Sequence, residues 1–258
     1  IGVVTVAGNI VDGPAALGTA GAETIVENIE TGLGEKTLKA LVVRIDSPGG
    51  STLASERIRQ AVLDAKARGL PVVISMGSVA ASGGYWIATA GDHIFAQPET
   101  VTGSIGVFGI LPSFEGSLEK LGLAVDGVRT TPLTGEPDLL RGPSDNVDRL
   151  IQLGVENTYR RFIGLVAEAR DMPVERVDGI AQGRVWDGGE VAGTPRDLFS
   201  RLALGPERLL ERALVDARQI LSGPAIQARC LQCPSAVTPL PARERATLGA
   251  WLMGLLSA

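Results

Sequence analysis

Two apolar strands in the first third of the chain each run into a glycine-bearing turn and then a helix. This arrangement constrains the fold more than any other feature. The first unit is Leu41-Val42-Val43-Arg44-Ile45, the turn Asp46-Ser47-Pro48-Gly49-Gly50 and a helical stretch over 53–68. The second is Pro71-Val72-Val73-Ile74-Ser75-Met76, the segment Gly77-Ser78-Val79-Ala80-Ala81-Ser82-Gly83-Gly84, and a helical run over 85–90. Strands this apolar are covered on both faces. Their alternation with helices predicts an α/β fold with right-handed crossovers.

The rest of the pattern extends that reading. Strands are expected at 2–7, 40–45, 71–76, 93–96, 104–108 and 124–128, and helices at 22–32, 53–68, 85–90, 113–121 and 146–169. In the helix from Leu53, the charged residues Glu56, Arg57, Arg59, Asp64 and Lys66 alternate with Ile58, Ala61, Val62 and Leu63, which predicts one face packed on a sheet. A polar loop broken by Pro132, Pro137 and Pro143 precedes the last long helix. The expected organisation is one domain over 1–190 and a partly helical, then Pro- and Ala-rich tail over 191–258. The 258 residues, 45% of them hydrophobic, suffice for one good core.

Composition narrows the function. The net charge is −5 and no basic stripe carries interleaved aromatics, so nucleic acid is not an expected partner. Cys230 and Cys233 form a single CxxC, which without a second pair predicts no metal site, and no cofactor is expected. The apolar run 248–256 is too short to cross a bilayer, which takes about 20 residues. The chain starts directly on a strand and has no initiator Met, so it reads as a piece of something longer.

Ser82 sits at a strand-to-helix corner among small residues, where a hydroxyl can be presented beside backbone N–H groups. The plainer reading of Ser82 is a helix N-cap or a packing residue. The second glycine turn favours the chemical one. Oxyanion stabilisation needs donors from two sides: Gly83 follows the serine directly, and Gly49 or Gly50 could supply the other. The turn at Ser47-Pro48-Gly49-Gly50 also reads simply as a helix entry capped by Ser51 or Thr52. A serine nucleophile requires a base. His93 is the only histidine, and it falls at the start of the next strand, away from Ser82. Lys36, Lys39, Lys66 and Lys120 are the only lysines, and each reads as a surface residue. The chain therefore offers a nucleophile and an oxyanion site with no local base.

Three segments, Ile45-Asp46-Ser47-Pro48-Gly49-Gly50, Ala80-Ala81-Ser82-Gly83-Gly84-Tyr85-Trp86 and Thr102-Gly103-Ser104-Ile105-Gly106-Val107-Phe108-Gly109, closely resemble the signal peptide peptidase A family of the protease IV type, the S49 serine peptidases. The resemblance runs from Ile1 to about Gly188. It implies a ClpP/crotonase-like fold with a central, mostly parallel sheet flanked by helices. It also implies Ser82 as nucleophile, Gly83 and Gly49 as oxyanion donors, Gly50 and Gly84 beside the substrate, and a Ser/Lys dyad. Short members carry the lysine in a segment that here reads Val128-Arg129-Thr130-Thr131-Pro132-Leu133-Thr134-Gly135, without lysine. Long members take it from an N-terminal half. This chain resembles their C-terminal half, also in Asn157-Thr158-Tyr159-Arg160-Arg161-Phe162 and Ala181-Gln182-Gly183-Arg184-Val185-Trp186.

The resemblance further implies hydrophobic peptide substrates such as released signal peptides, a homo-oligomeric ring, and a place at the bacterial cytoplasmic membrane with the catalytic part outside the cytoplasm. From Gly193-Thr194-Pro195 onward the sequence departs from the family pattern. Two other functions on the same fold compete. A crotonase-type acyl-CoA enzyme would need a carboxylate near Ala81-Ser82-Gly83-Gly84, and a non-catalytic scaffold would need no base. A ClpP-type peptidase would place its histidine where this chain has Val107.

Overall fold

The computed structural model describes residues 1–16, 18–192 and 229–230. In chain order the elements are β1 (Gly2–Ala7), β2 (Asn9–Val11), β3 (Thr19–Gly21), α1 (Ala22–Gly34), β4 (Leu41–Ser47), α2 (Thr52–Ala67), β5 (Val72–Ala81), α3 (Gly83–Ala88), β6 (His93–Phe95), β7 (Val101–Gly103), α4 (Glu115–Lys120), α5 (Asp145–Arg170), α6 (Val174–Ile180), β8 (Val185–Asp187), α7 (Gly188–Ala192) and β9 (Arg229–Cys230). A 7-stranded sheet runs β8-β7-β5-β4-β1-β9, with β6 also paired to β5. All its pairings are parallel except β7 with β8. The expected α/β fold with a mostly parallel sheet and flanking helices is the one that forms.

Alternate residues of the central strands, among them Val4, Val43, Ile45, Ile74 and Met76, belong to one buried cluster. It also includes Ile25 and Ile29 of α1, Ile58 and Val62 of α2, and Phe162 and Val166 of α5. Only the second half of α5 packs in this way: apart from Val147, its buried residues are Phe162, Ile163, Val166 and Ala167. Of the expected tail, the described residues include the end of α7 and β9, which adds a parallel edge strand to β1. The remainder of 191–258, Cys233 included, lies outside the described residues.

Two strand expectations fail for one reason. β4 and β5 run in register from Leu41↔Val72 to Ile45↔Met76, and the next pair is Ser47↔Ala80. Two steps on β4 therefore match four on β5, which bulges over Gly77–Val79 and extends to Ala81. The extended end pairs with Val101–Gly103, upstream of the expected strand at 104–108. Positive φ values at Gly103 (76°) and Ser104 (48°) then end that strand. The far side of β7 is occupied by β8, in the register Thr102↔Trp186. Residues 124–128 have no place in the sheet and lie exposed.

Candidate active site

Ser82 joins β5 to α3. Its backbone sits at φ 51°, ψ −117°, a conformation that costs a non-glycine residue roughly 1–3 kcal/mol and persists only where the surroundings impose it. The surroundings are visible on both flanks. Ser82 donates its N–H to Gly103 O (2.9 Å), and its carbonyl accepts from Trp86 N (2.9 Å), the first closed turn of α3. Thr102 Oγ1 donates to Ala80 O (2.9 Å), tying β7 to the last residues of β5. The bulge is pinned in turn. Asp46 Oδ1 accepts from Val79 N (3.0 Å), and Thr100 Oγ1 donates to Gly77 O (2.8 Å). Asp46 presses so close that a methyl group on Gly77 would lie 2.7 Å from its Cγ.

The first glycine turn packs directly against this corner. Gly49 has φ +105°, and a methyl group there would lie 2.7 Å from both Gly83 N and Ser82 Cβ. A methyl on Gly83 would meet Ser55 Oγ at 2.4 Å and Gly50 N at 3.3 Å. One on Gly84 would meet Ser47 O at 3.1 Å. Gly49, Gly83 and Gly84 thus sit where the two turns meet beside Ser82 and leave no room for side chains there, while a methyl on Gly50 would lie 2.1 Å from Ile10 O of β2.

The amides of this contact are not equivalent. Gly49 N–H is already donated to the buried Ser47 Oγ (3.1 Å). Gly50 is held by β2: Ile10 N–H donates to Gly49 O (2.9 Å) and Ser51 N–H to Ile10 O (2.9 Å), as a parallel bridge between Ile10 and Gly50. That bridge leaves the Gly50 N–H on the side away from β2, and its nitrogen is near the Gly83 Cβ direction. Among the described residues neither Gly50 N–H nor Gly83 N–H has an acceptor. Asp12 Oδ2 accepts from Ser51 Oγ (2.7 Å), and Ser51 Oγ accepts from Ala54 N (3.2 Å), which caps α2 and fastens β2 to the turn.

Ser82 is partly exposed, and its hydroxyl has no hydrogen-bond partner among the described residues. The sheet shows why no local base reaches it. His93 pairs with Val73 at the beginning of β5, and with the bulge discounted Ser82 lies about seven ladder steps further on, roughly 23 Å at about 3.3 Å per residue. Lys66 Nζ is bound to Asp92 Oδ1 (2.9 Å), and Asp92 accepts from Val72 N (2.7 Å) at the same far end. Lys36 and Lys39 precede β4, whose first residue is level with Val72. Lys120 lies on α4, a helix with no buried residue, and makes no ion pair among the described residues.

Arg44 is the other charge close to the turn. Its guanidinium donates to Ser75 Oγ (3.1 Å) and Met76 O (3.0 Å). Burial pulls its pKa below the ordinary value, against the charge of Asp46. Ser47, Ser55, Ile10 and Gly103 were not foreseen as parts of the site. Only Ser47 and Ser55 lie within or next to the glycine turns that could have signalled them.

The sequence model of peptidase family S49 matches residues 64–193, a stretch that holds the Ser82 corner, β7 and β8. The chain belongs to peptidase family S49. Among curated proteins it is 46% identical over 188 residues to Protease 4 of Salmonella typhi, covering 73% of this chain and 30% of that protein. It is 35% identical over 156 residues to the putative signal peptide peptidase SppA of Enterococcus faecium, covering 60% and 45%. To the chloroplastic serine protease SPPA of Arabidopsis thaliana it is 34% identical over 227 residues, covering 85% and 32%. The chain thus spans about a third of the length of Protease 4. The S49 assignment agrees with the α/β sheet architecture, the ClpP-like fold of this family. Among the described residues no helix is long and apolar enough to cross a membrane.

Proposed function

We propose that this S49 chain carries the nucleophilic half of a serine endopeptidase. Ser82 attacks the scissile carbonyl, and the amides of Gly83 and Gly50 receive the oxyanion. One observation carries the reading: on a strained turn, a serine hydroxyl and two glycine amides from different strand ends converge, all three without a hydrogen-bond partner among the described residues. Gly49, expected as the second donor, is assigned instead to shaping the turn, because its N–H is committed to Ser47 Oγ. Gly84 keeps α3 close enough for an extended peptide to lie along the turn.

In this proposal the general base is a lysine from outside the chain, from an N-terminal half or another subunit. Burial would hold it neutral enough to take the Ser82 proton. The substrates are hydrophobic peptides, released signal peptides among them, and the assembly is a ring at the cytoplasmic membrane with the site outside the cytoplasm. The names of the relatives support this class of substrate. The exposed Phe108 (82%), Ile110 (83%) and Val128 (93%) beyond β7 supply apolar surface for subunit contact. The test is intact-mass detection of a serine-directed acylating probe, on this chain and on the protein in its longest native form, with Ser82→Ala as control. Labelling confined to the longer form and lost in Ser82→Ala supports a base supplied from outside. No labelling in either favours a non-catalytic scaffold. That second reading has the lack of any base beside Ser82, among the described residues, in its favour.

A further inference from the structure

The strained turn at Ser82 needs its C-terminal flank held as firmly as its N-terminal one, yet α3 is only six residues long. An isolated helix of that length has little stability of its own. Beside its packing on β4 and β5, α3 is held by polar contacts to α2. Trp86, one turn after Ser82, donates its indole Nε1–H to Glu56 Oε2 (2.6 Å). The other carboxylate oxygen of Glu56 accepts from Gln60 Nε2 (2.6 Å), Arg161 Nη2 of α5 (2.7 Å) and Arg59 Nη1 (3.4 Å). The Arg161 guanidinium also stands over the Trp86 ring at 5.9 Å, and Phe162 packs against that ring at 4.7 Å between centroids. At the end of α3, Thr89 Oγ1 accepts from Arg59 Nε (3.0 Å). α3 is therefore latched to one turn of α2 at Trp86 and at its C-cap Thr89.

The same helix is capped by Ser51, the residue after Gly50. So one amide of the pair, that of Gly50, lies just before α2, and the early part of α2 carries the carboxylate that orients the helix behind the other. We propose that Glu56 is a positioning residue for the nucleophile turn. Through Trp86 it locks α3 to α2, and this fixes the orientation of Ser82 and the spacing between the Gly83 and Gly50 amides. The proposal rests on the peptidase reading of the site. It explains why one carboxylate accepts hydrogen bonds from three helices, α2, α3 and α5, directly behind the Ser82 corner.

The test uses the protein in its longest native form and measures both constants for acylation of Ser82 by the serine-directed probe, kinact and KI. Glu56→Ala is expected to lower kinact at least about tenfold with KI nearly unchanged, because a misplaced turn impairs attack more than approach. Trp86→Phe, which removes the indole donor, is expected to do the same, and the double variant to be no worse than either single one. Glu56→Gln keeps an oxygen for the indole and is expected to recover kinact to within about threefold of the unchanged protein. Ile29→Val, a core truncation in α1 away from the latch, is the control for lost stability and is expected to leave kinact within about twofold. A folded Glu56→Ala protein with unchanged kinact, or Ile29→Val with an equal loss, overturns the role given to Glu56 alone. A protein whose Ser82 is never labelled overturns the peptidase reading and this role with it.

Discussion

Gly83→Ala tests the glycine contact most sharply, because its clash has one dominant partner that can be removed separately. The added methyl would lie 2.4 Å from Ser55 Oγ, against 3.3 Å from Gly50 N and 3.4 Å from Gly49 Cα. Ser55 is fully buried, so its hydroxyl cannot swing into solvent. Overpacking of this kind costs about 1–3 kcal/mol, offset by at most about 1 kcal/mol of helix propensity. Ser55→Ala alone loses one hydrogen bond, Ser55 Oγ to Ser51 O (2.8 Å), about 0.5–1.5 kcal/mol. The Ser51 carbonyl keeps its bond from Ser55 N (3.0 Å), so no acceptor is orphaned. The double variant should therefore be about as stable as Ser55→Ala, a favourable coupling of about 1–3 kcal/mol measured by urea unfolding of all four proteins. Activity should not recover with stability: the methyl still crowds Gly50 N, so probe labelling of Ser82 stays low in the double variant. Additive stabilities would refute the close approach of α3 to α2 on which the site is built. Full recovery of labelling would refute the place given to Gly50.

Three further outcomes follow from the same geometry. Ser82→Gly should be more stable than Ser82→Ala by about 1 kcal/mol in thermal unfolding, because only glycine relieves the positive φ, while both abolish labelling. Asp46→Ala should cost about 1–3 kcal/mol by stranding Val79 N–H in the bulge and should also slow labelling, whereas Asp46→Asn, which keeps an acceptor, should cost clearly less. Burial would push the Glu56 carboxyl up, but the hydrogen bonds from Trp86 and Gln60 and the charges of Arg59 and Arg161 outweigh it and hold its pKa below the ordinary 4.5. A carboxylate depressed in the folded state stabilises the protein above pH 4.5, and that contribution is lost as pH falls through the lower folded value. Glu56→Gln should flatten this acid limb of a stability-against-pH curve.

The parts of this molecule that the sequence made legible are those whose geometry is written in contiguous residues. The β4 turn, the Ser82 corner and helices α1, α2 and α5 each combine a local apolar period with an adjacent turn or cap, and they formed within a few residues of where they were expected. What escaped was set at a distance. The strand at Val101–Gly103 depends on the bulge in β5, which depends on Asp46 reaching Val79 across the sheet. Nothing near residue 101 announces it. β8 was hidden in the same way, because Val185-Trp186-Asp187 is too short to show a period and becomes a strand only beside β7. The direction of the Gly50 N–H is set by Ile10, whose bridge to Gly50 no spacing rule anticipates.

That no histidine or lysine lies beside Ser82 among the described residues is legible for a different reason, since it follows from scarcity and topology together. In a parallel sheet every strand C-terminus lies at one edge, and Ser82 is carried there by β5. His93, Lys66 and the lysines before β4 belong to the opposite edge, where strands begin. A later lysine could return to the serine, but after Lys120 the sequence contains none, and α4 with Lys120 is not packed into the core. The same parallel order that brings the two glycine turns together therefore keeps His93, Lys36, Lys39 and Lys66 from the serine between them. Within the described residues this topology is the reason the proposed peptidase draws its base from outside the chain.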